Sequence, residues 1–183
     1  MPMKRDYIFV LTFCTALGCG LVAGVFFAFS SFVMPALERL PAAQGVTAMQ
    51  SINIQAVTPV FMTAFVGTAV ACIALAIVSW RARRSGAAAG AGYVVGGSLL
   101  YFVGTFLVTI VFNVPLNDAL AVVDPAGADA GRVWADYLAG WNPWNHFRGA
   151  ASLAATALFT VALYRSRLLS SSSAVSDQDK RVR

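Results

Sequence analysis

YIFVLTFCTALGCGLVAGVFFAFSSFVMPAL, residues 7–37, runs for 31 positions without a charged side chain. About 20 apolar residues in a helix cross the hydrocarbon core of a bilayer. In lipid the backbone must satisfy its own hydrogen bonds, which a helix does and a loop does not. The stretch therefore predicts a membrane-spanning helix. Lys4 and Arg5 precede it, as basic residues precede a signal peptide. The apolar run, however, exceeds the ~7–15 residues of a signal-peptide core, and no A-x-A cleavage site follows.

Outward from this helix the pattern repeats. The chain has 183 residues, the length of one domain, with 58% hydrophobic and 11% charged residues. Soluble domains carry about 25% charged residues, so lipid is the solvent for much of this chain. Apolar runs end at short basic clusters, and the spans expected are 7–34, 54–80, 91–112 and 144–164. The reading is an all-α membrane protein, a four-transmembrane-helix bundle over residues 1–168. The serine-rich polar tail, 169–183, lacks apolar periodicity and is expected to be disordered.

Charge placement orients the bundle. Lys4, Arg5, Arg81, Arg83, Arg84, Arg165, Arg167, Lys180, Arg181 and Arg183 fall on one side, and Arg39, Arg132 and Arg148 on the other. Ten against three predicts both termini in the cytoplasm, with the chain a multi-pass protein of the plasma membrane. The formal charge of +5 is thus a topology signal. It forms no basic stripe with interleaved aromatics, which argues against nucleic acid as a partner. Cys14, Cys19 and Cys72 all lie within apolar runs and read as packing residues.

Two further patterns concern packing. Gly20 and Gly24, like Gly92 and Gly96, make G-x-x-x-G, which lets helices approach closely. Phe32-Val33-Met34-Pro35 with Leu40, and Phe112-Asn113-Val114-Pro115 with Leu120, share F-x-x-P-x-x-x-x-L on one membrane side, with Glu38 and Asp118 aligned. This suggests two helical hairpins related by an axis along the membrane normal.

The unusual polar residues gather at the outer side. They lie in Ala48-Met49-Gln50-Ser51-Ile52-Asn53, in Asn113-Val114-Pro115-Leu116-Asn117-Asp118, and in Trp141-Asn142-Pro143-Trp144-Asn145-His146-Phe147-Arg148. Helical spacing puts Gln50 near Asn53, Trp141 near Asn145, and both Trp144 and Asn145 near Arg148. Such groups need partners at the hydrocarbon boundary. A mutually hydrogen-bonded cap and a ligand site both meet that need. His146, the one histidine, is the natural general base, since imidazole titrates nearest neutral pH. One histidine without a Cys-rich or carboxylate set does not make a familiar zinc site, so no metal is expected. Glu38 and Asp118 are a conceivable carboxylate pair. No P-loop, dinucleotide fingerprint or nucleophile elbow occurs. No charge falls in the inner half of a span, which disfavours a transporter.

Phe26-Phe27-Ala28-Phe29-Ser30-Ser31-Phe32-Val33-Met34-Pro35-Ala36-Leu37, Ala48 to Asn53, Phe112 to Asp118 and Trp141 to Arg148 together resemble the anthrone oxygenase-like membrane family. The resemblance covers roughly residues 11–164. It implies a four-helix membrane domain and, in some members, oxidation of an anthrone to an anthraquinone by molecular oxygen without a recognised cofactor. It assigns no catalytic residues, so the roles come from chemistry. An anthrone has an acidic methylene whose anion reacts with oxygen. His146 suits the base, Asn53, Asn113, Asn117 and Asn145 the donors, and Arg148 the electrostatic stabiliser. Trp141, Trp144, Met49, Gln50 and Asn53 are the expected substrate-binding set, with the two indoles sandwiching the rings of a lipophilic aromatic molecule. The alternative is a non-enzymatic membrane protein that binds a lipophilic ligand or a protein partner through the same outer residues.

Overall fold

The computed structural model describes the backbone of residues 2–84 and 90–182 and the side chains of residues 7–84 and 90–167. The described residues hold helices and no strand. They are α1 (Pro2–Ala28), a π-helical segment π1 (Phe29–Val33), α2 (Met34–Glu38), α3 (Ala42–Ala56), α4 (Pro59–Arg84), α5 (Ala91–Tyr101), π2 (Phe102–Leu107), π3 (Thr109–Asn113), α6 (Val114–Ala121) and α7 (Ala130–Val182). Four helical stretches are long and apolar enough to cross a membrane: Tyr7–Glu38, Pro59–Arg84, Ala91–Ala121 and Ala130–Arg167. The chain is an all-helical, four-span membrane protein.

The spans form a ring in which α1 and α5 each pack against both α4 and α7. Leu17, Leu21, Phe27, Val70, Leu99, Val111 and Leu153 point outward and are exposed, which water would penalise and lipid does not. Inside lie Cys19, Val22, Phe26, Phe65, Cys72, Leu75, Tyr101 and Phe159. Apolar burial drives little in lipid, so close packing of small residues holds such helices together. The tight places match the G-x-x-x-G expectation in part, since a Cβ on Gly96 would stand 3.3 Å from the Leu158 side chain. A Cβ on Gly24 would meet nothing within 4 Å, whereas one on Gly104 would stand 2.8 Å from the Ala151 methyl and one on Gly97 3.2 Å from Ala155 O. Close seams therefore run where the α5–π2 span meets α7 and where Gly18 of α1 faces Thr68 of α4. Arg84 over Trp80, Arg165 over Tyr93 and Arg167 over Phe9 mark the end of the bundle that holds the termini.

The opposite end is built more elaborately than the expected spans allow. The second span begins at Pro59, and residues 42–56 form a separate helix, α3. Proline suits the first turn of a helix, where its missing N–H is not needed, so Pro59 starts a new element. The fourth span begins at Ala130, fourteen residues before Trp144, and passes Pro143 without a break. Most of the expected outer loop before Arg148 is thus helix. α3, α6 and the start of α7 form a cap with its own core of Met34, Val46, Met49, Leu120, Trp134, Tyr137, Leu138 and Trp141. α7 reaches Val182, but the side chains of the tail, 169–183, lie outside the described residues.

The F-x-x-P repeat has a structural counterpart. π1 ends just before Met34-Pro35, and π3 ends just before Val114-Pro115. A proline ring inside a helix collides with the carbonyl four residues back and leaves it without a donor. Widening the preceding turn to π geometry relieves that collision, and π turns often accompany functional positions.

Candidate functional site

One face of α7 explains why the polar residues converge. Trp134, Leu138, Trp141, Asn145, Arg148, Ser152, Ala155, Phe159 and Ala162 follow one another at alternating steps of four and three, and all are buried. That spacing is the inward stripe of a packed helix. Along it the side chains change from aromatic, in the cap, to polar, then to small and apolar.

Arg148 is the most consequential of them. An exposed arginine commonly extends its head toward water, yet here the residue is 3% exposed. Its Nη2 donates to Asn145 Oδ1 at 2.9 Å and its Nη1 to Thr109 Oγ1 at 3.1 Å. The guanidinium lies 4.3 Å from the centre of the Phe26 ring and 5.1 Å from that of Trp141, within cation–π range. Among the described residues Nε has no protein partner, and the ion pairs both belong to Arg132. A buried cation is thus held by neutral groups alone.

The neighbouring residues extend this arrangement. Asn145 Nδ2 donates to Phe26 O at 2.9 Å and to Ser30 Oγ at 2.8 Å, and Ser30 Oγ lies 2.8 Å from His146 Nδ1. Asn145 is buried, whereas His146 is exposed at the bundle surface. Asn113 Nδ2 donates to Trp141 O at 3.3 Å, leaving its buried Oδ1 without a protein partner. Asn117 Oδ1 accepts from Tyr137 Oη at 2.8 Å and from Trp141 Nε1 at 3.0 Å. Ser30 comes from π1, and Thr109 and Asn113 come from π3. The two π-helical segments that precede the prolines therefore supply three of the groups around the α7 stripe.

The remaining expected residues have other surroundings. Gln50 Nε2 donates to Leu120 O and Val123 O at 2.9 and 3.0 Å, tying α3 to the end of α6. Met49 is part of the cap core, and Asn53 is half-buried with its amide nitrogen unpartnered. The two tryptophans do not frame one slot. Trp141 is buried, 5.8 Å from Phe29, whereas Trp144 stacks on Phe112 at 3.8 Å between ring centres. Their three-residue separation turns them to different neighbours. Glu38 and Asp118 are both exposed, and neither forms an ion pair among the described residues.

Sequence reading gave no site role to Phe26 or Ser30, though both lie in a quoted segment, and none to Thr109 or Tyr137. The signal for Tyr137 was the aromatic run Trp134, Tyr137, Trp141 at helical steps. The other three required knowledge of how the spans face one another. Beside the polar groups, an apolar cleft of about 390 Å³ opens between α1, α3 and the start of α4, lined by Val25, Phe29, Ser51, Ile52, Gln55, Ala56 and Phe61. Phe29 forms part of its wall and packs on Trp141.

A family model described as anthrone oxygenase matches residues 60–158, 99 of the 183 positions. The chain belongs to the anthrone oxygenase family. The family match contains Thr109, Asn113, Asn117 and the whole Trp141–Arg148 segment, while Ser30 and α3 precede it. No curated protein sequence and no solved structure matches this chain.

Proposed function

We propose that this family member is a membrane-embedded oxygenase that converts a flat lipophilic ketone of the anthrone type to the quinone with molecular oxygen, without metal or flavin. Arg148 carries the reading: a buried guanidinium with no carboxylate beside it among the described residues favours a neighbouring anion, and the substrate becomes one when its methylene loses a proton. His146 takes that proton. The substrate anion passes an electron to oxygen, and the two radicals join as a carbon-bound peroxide. Loss of the second hydrogen at that carbon breaks the O–O bond, forms the carbonyl and releases water. One oxygen molecule is consumed, and one quinone and one water are produced. Asn113 and Asn117 orient the polar end, Asn145 holds Arg148 and Ser30 in place, and the cleft beside Phe29 admits the apolar rings from the bilayer. The site faces the outside of the plasma membrane, because the described basic clusters lie at the opposite end.

Oxygen uptake by purified protein, matched mole for mole by quinone, tests this. His146→Gln should fall by about 10²–10⁴-fold while folding normally, since the residue is exposed. Because anthrones autoxidise, a detergent blank is the reference. Uptake no faster than that blank across several anthrones would refute the oxygenase reading. The cleft favours a second reading, in which the protein binds a lipophilic molecule without transforming it. Saturable binding without turnover would select it.

A further inference from the structure

The hydrogen bonds at this end of the bundle run in one direction. A guanidinium has donors and no acceptor, so Arg148 Nη2 identifies its partner in Asn145 as the amide oxygen. The other amide atom is then the nitrogen, and its two protons go to Phe26 O and Ser30 Oγ. Ser30 Oγ is thereby an acceptor from Asn145. Its other neighbour is His146 Nδ1, 2.8 Å away, a contact in which either atom can donate. Other hydroxyls in the bundle behave differently: Ser31, Thr109 and Thr156 return their protons to the carbonyl four residues back. For Ser30 that carbonyl is Phe26 O, which already receives Asn145.

We infer that Ser30 orients His146 and relays the substrate proton to it. It holds the neutral imidazole with Nδ1 turned to the Ser30 hydroxyl as acceptor, so that the ring N–H sits on Nε2 and the basic lone pair is approached through Ser30. Asn145 and Arg148 are sealed from solvent, whereas Ser30 is half-buried and His146 exposed, which leaves this pair open to a ligand. The inference rests on the proposed role of His146 for its catalytic consequence. In the proton step, the substrate C–H bond breaks as Ser30 Oγ takes the proton. The Ser30 O–H bond breaks as Nδ1–H forms, and the electron pair stays on the substrate as its enolate.

The chain has one histidine, so protein labelled with ¹⁵N-histidine and purified without a histidine tag reports a single imidazole. At a pH of about 9, above the ordinary imidazole range, the wild type should show Nδ1 unprotonated and Nε2 protonated. Ser30→Ala should move the Nδ1 resonance as its hydrogen bond is lost, and Ser30→Thr should keep it in place. A protonated Nδ1 in the wild type, or an Nδ1 resonance indifferent to Ser30→Ala, would overturn the assignment. In turnover, Ser30→Ala and His146→Gln should each fall by roughly 10²-fold or more, with the double variant no slower than the worse single one. Full activity in Ser30→Ala would overturn the proton path through Ser30. Absence of turnover in every form, including the wild type, counts against the oxygenase reading, while the resonances still decide how Ser30 holds the ring.

Discussion

Asn145 donates both amide protons and accepts from Arg148, so truncating it takes one partner each from Phe26 O, Ser30 Oγ and the guanidinium. An unsatisfied buried polar group costs about 1–3 kcal/mol, and more when it is charged. Asn145→Ala should accordingly lower stability by about 2–4 kcal/mol, read as a fall in the thermal midpoint in detergent. Tyr137→Phe is the milder case. It removes one donor from Asn117 while Trp141 Nε1 keeps the other, so about 1 kcal/mol should be lost. If Asn145→Ala proved no worse than Tyr137→Phe, water would be reaching Arg148 and the buried-cation argument would fail.

Between elements, the distances are set where α5 and π2 meet α7. Gly104 has no side chain because Ala151 already occupies the space, at 2.8 Å from where a Cβ would be. Gly104→Ala should cost about 1–3 kcal/mol, the usual range for overpacking. Ala151→Gly in the same chain should recover most of that loss, because the two positions share one gap. Thermal unfolding of the two single variants and the double gives the coupling directly. A double variant merely as unstable as the sum would place the seam elsewhere. The same logic applies to the cap, where a Cβ on Gly45 would stand 2.8 Å from the Trp134 ring. Gly45→Ala should loosen α3 against α7 and shift tryptophan fluorescence toward a wetter environment.

At the scale of the whole molecule, four crossings leave the termini on one side and the polar end on the other. Arg148 is packed inside the bundle, so it drops out of the loop charges and strengthens the bias: the segments opposite the termini keep Arg39 and Arg132. A membrane-impermeant thiol reagent should therefore label Ala128→Cys from outside intact cells, in a chain whose own three cysteines are replaced. Ala128 is exposed in the segment between α6 and α7. A reporter active only outside the cell should stay silent when fused after Arg167. Labelling only after the membrane is breached would reverse the orientation and move the proposed site to the cytoplasmic face.

The number of spans and the clustering of polar groups at one end were legible along the chain, because both depend on local properties. An apolar run of 31 residues must meet lipid whatever it packs against, and charge at its ends is a one-dimensional signal. The stripe from Trp134 to Ala162 was also present in the spacing, as was the F-x-x-P repeat that π1 and π3 accompany. Which groups touch was another matter. Contact between Arg148 and Phe26, or Asn145 and Ser30, joins residues more than a hundred positions apart. It depends on how far α1 and α7 rotate about their axes and how close their packing lets them come. The same rotation buried Trp141 and turned Trp144 onto Phe112. Composition and periodicity say that a helix has an inner face; only the packed bundle says what that face meets.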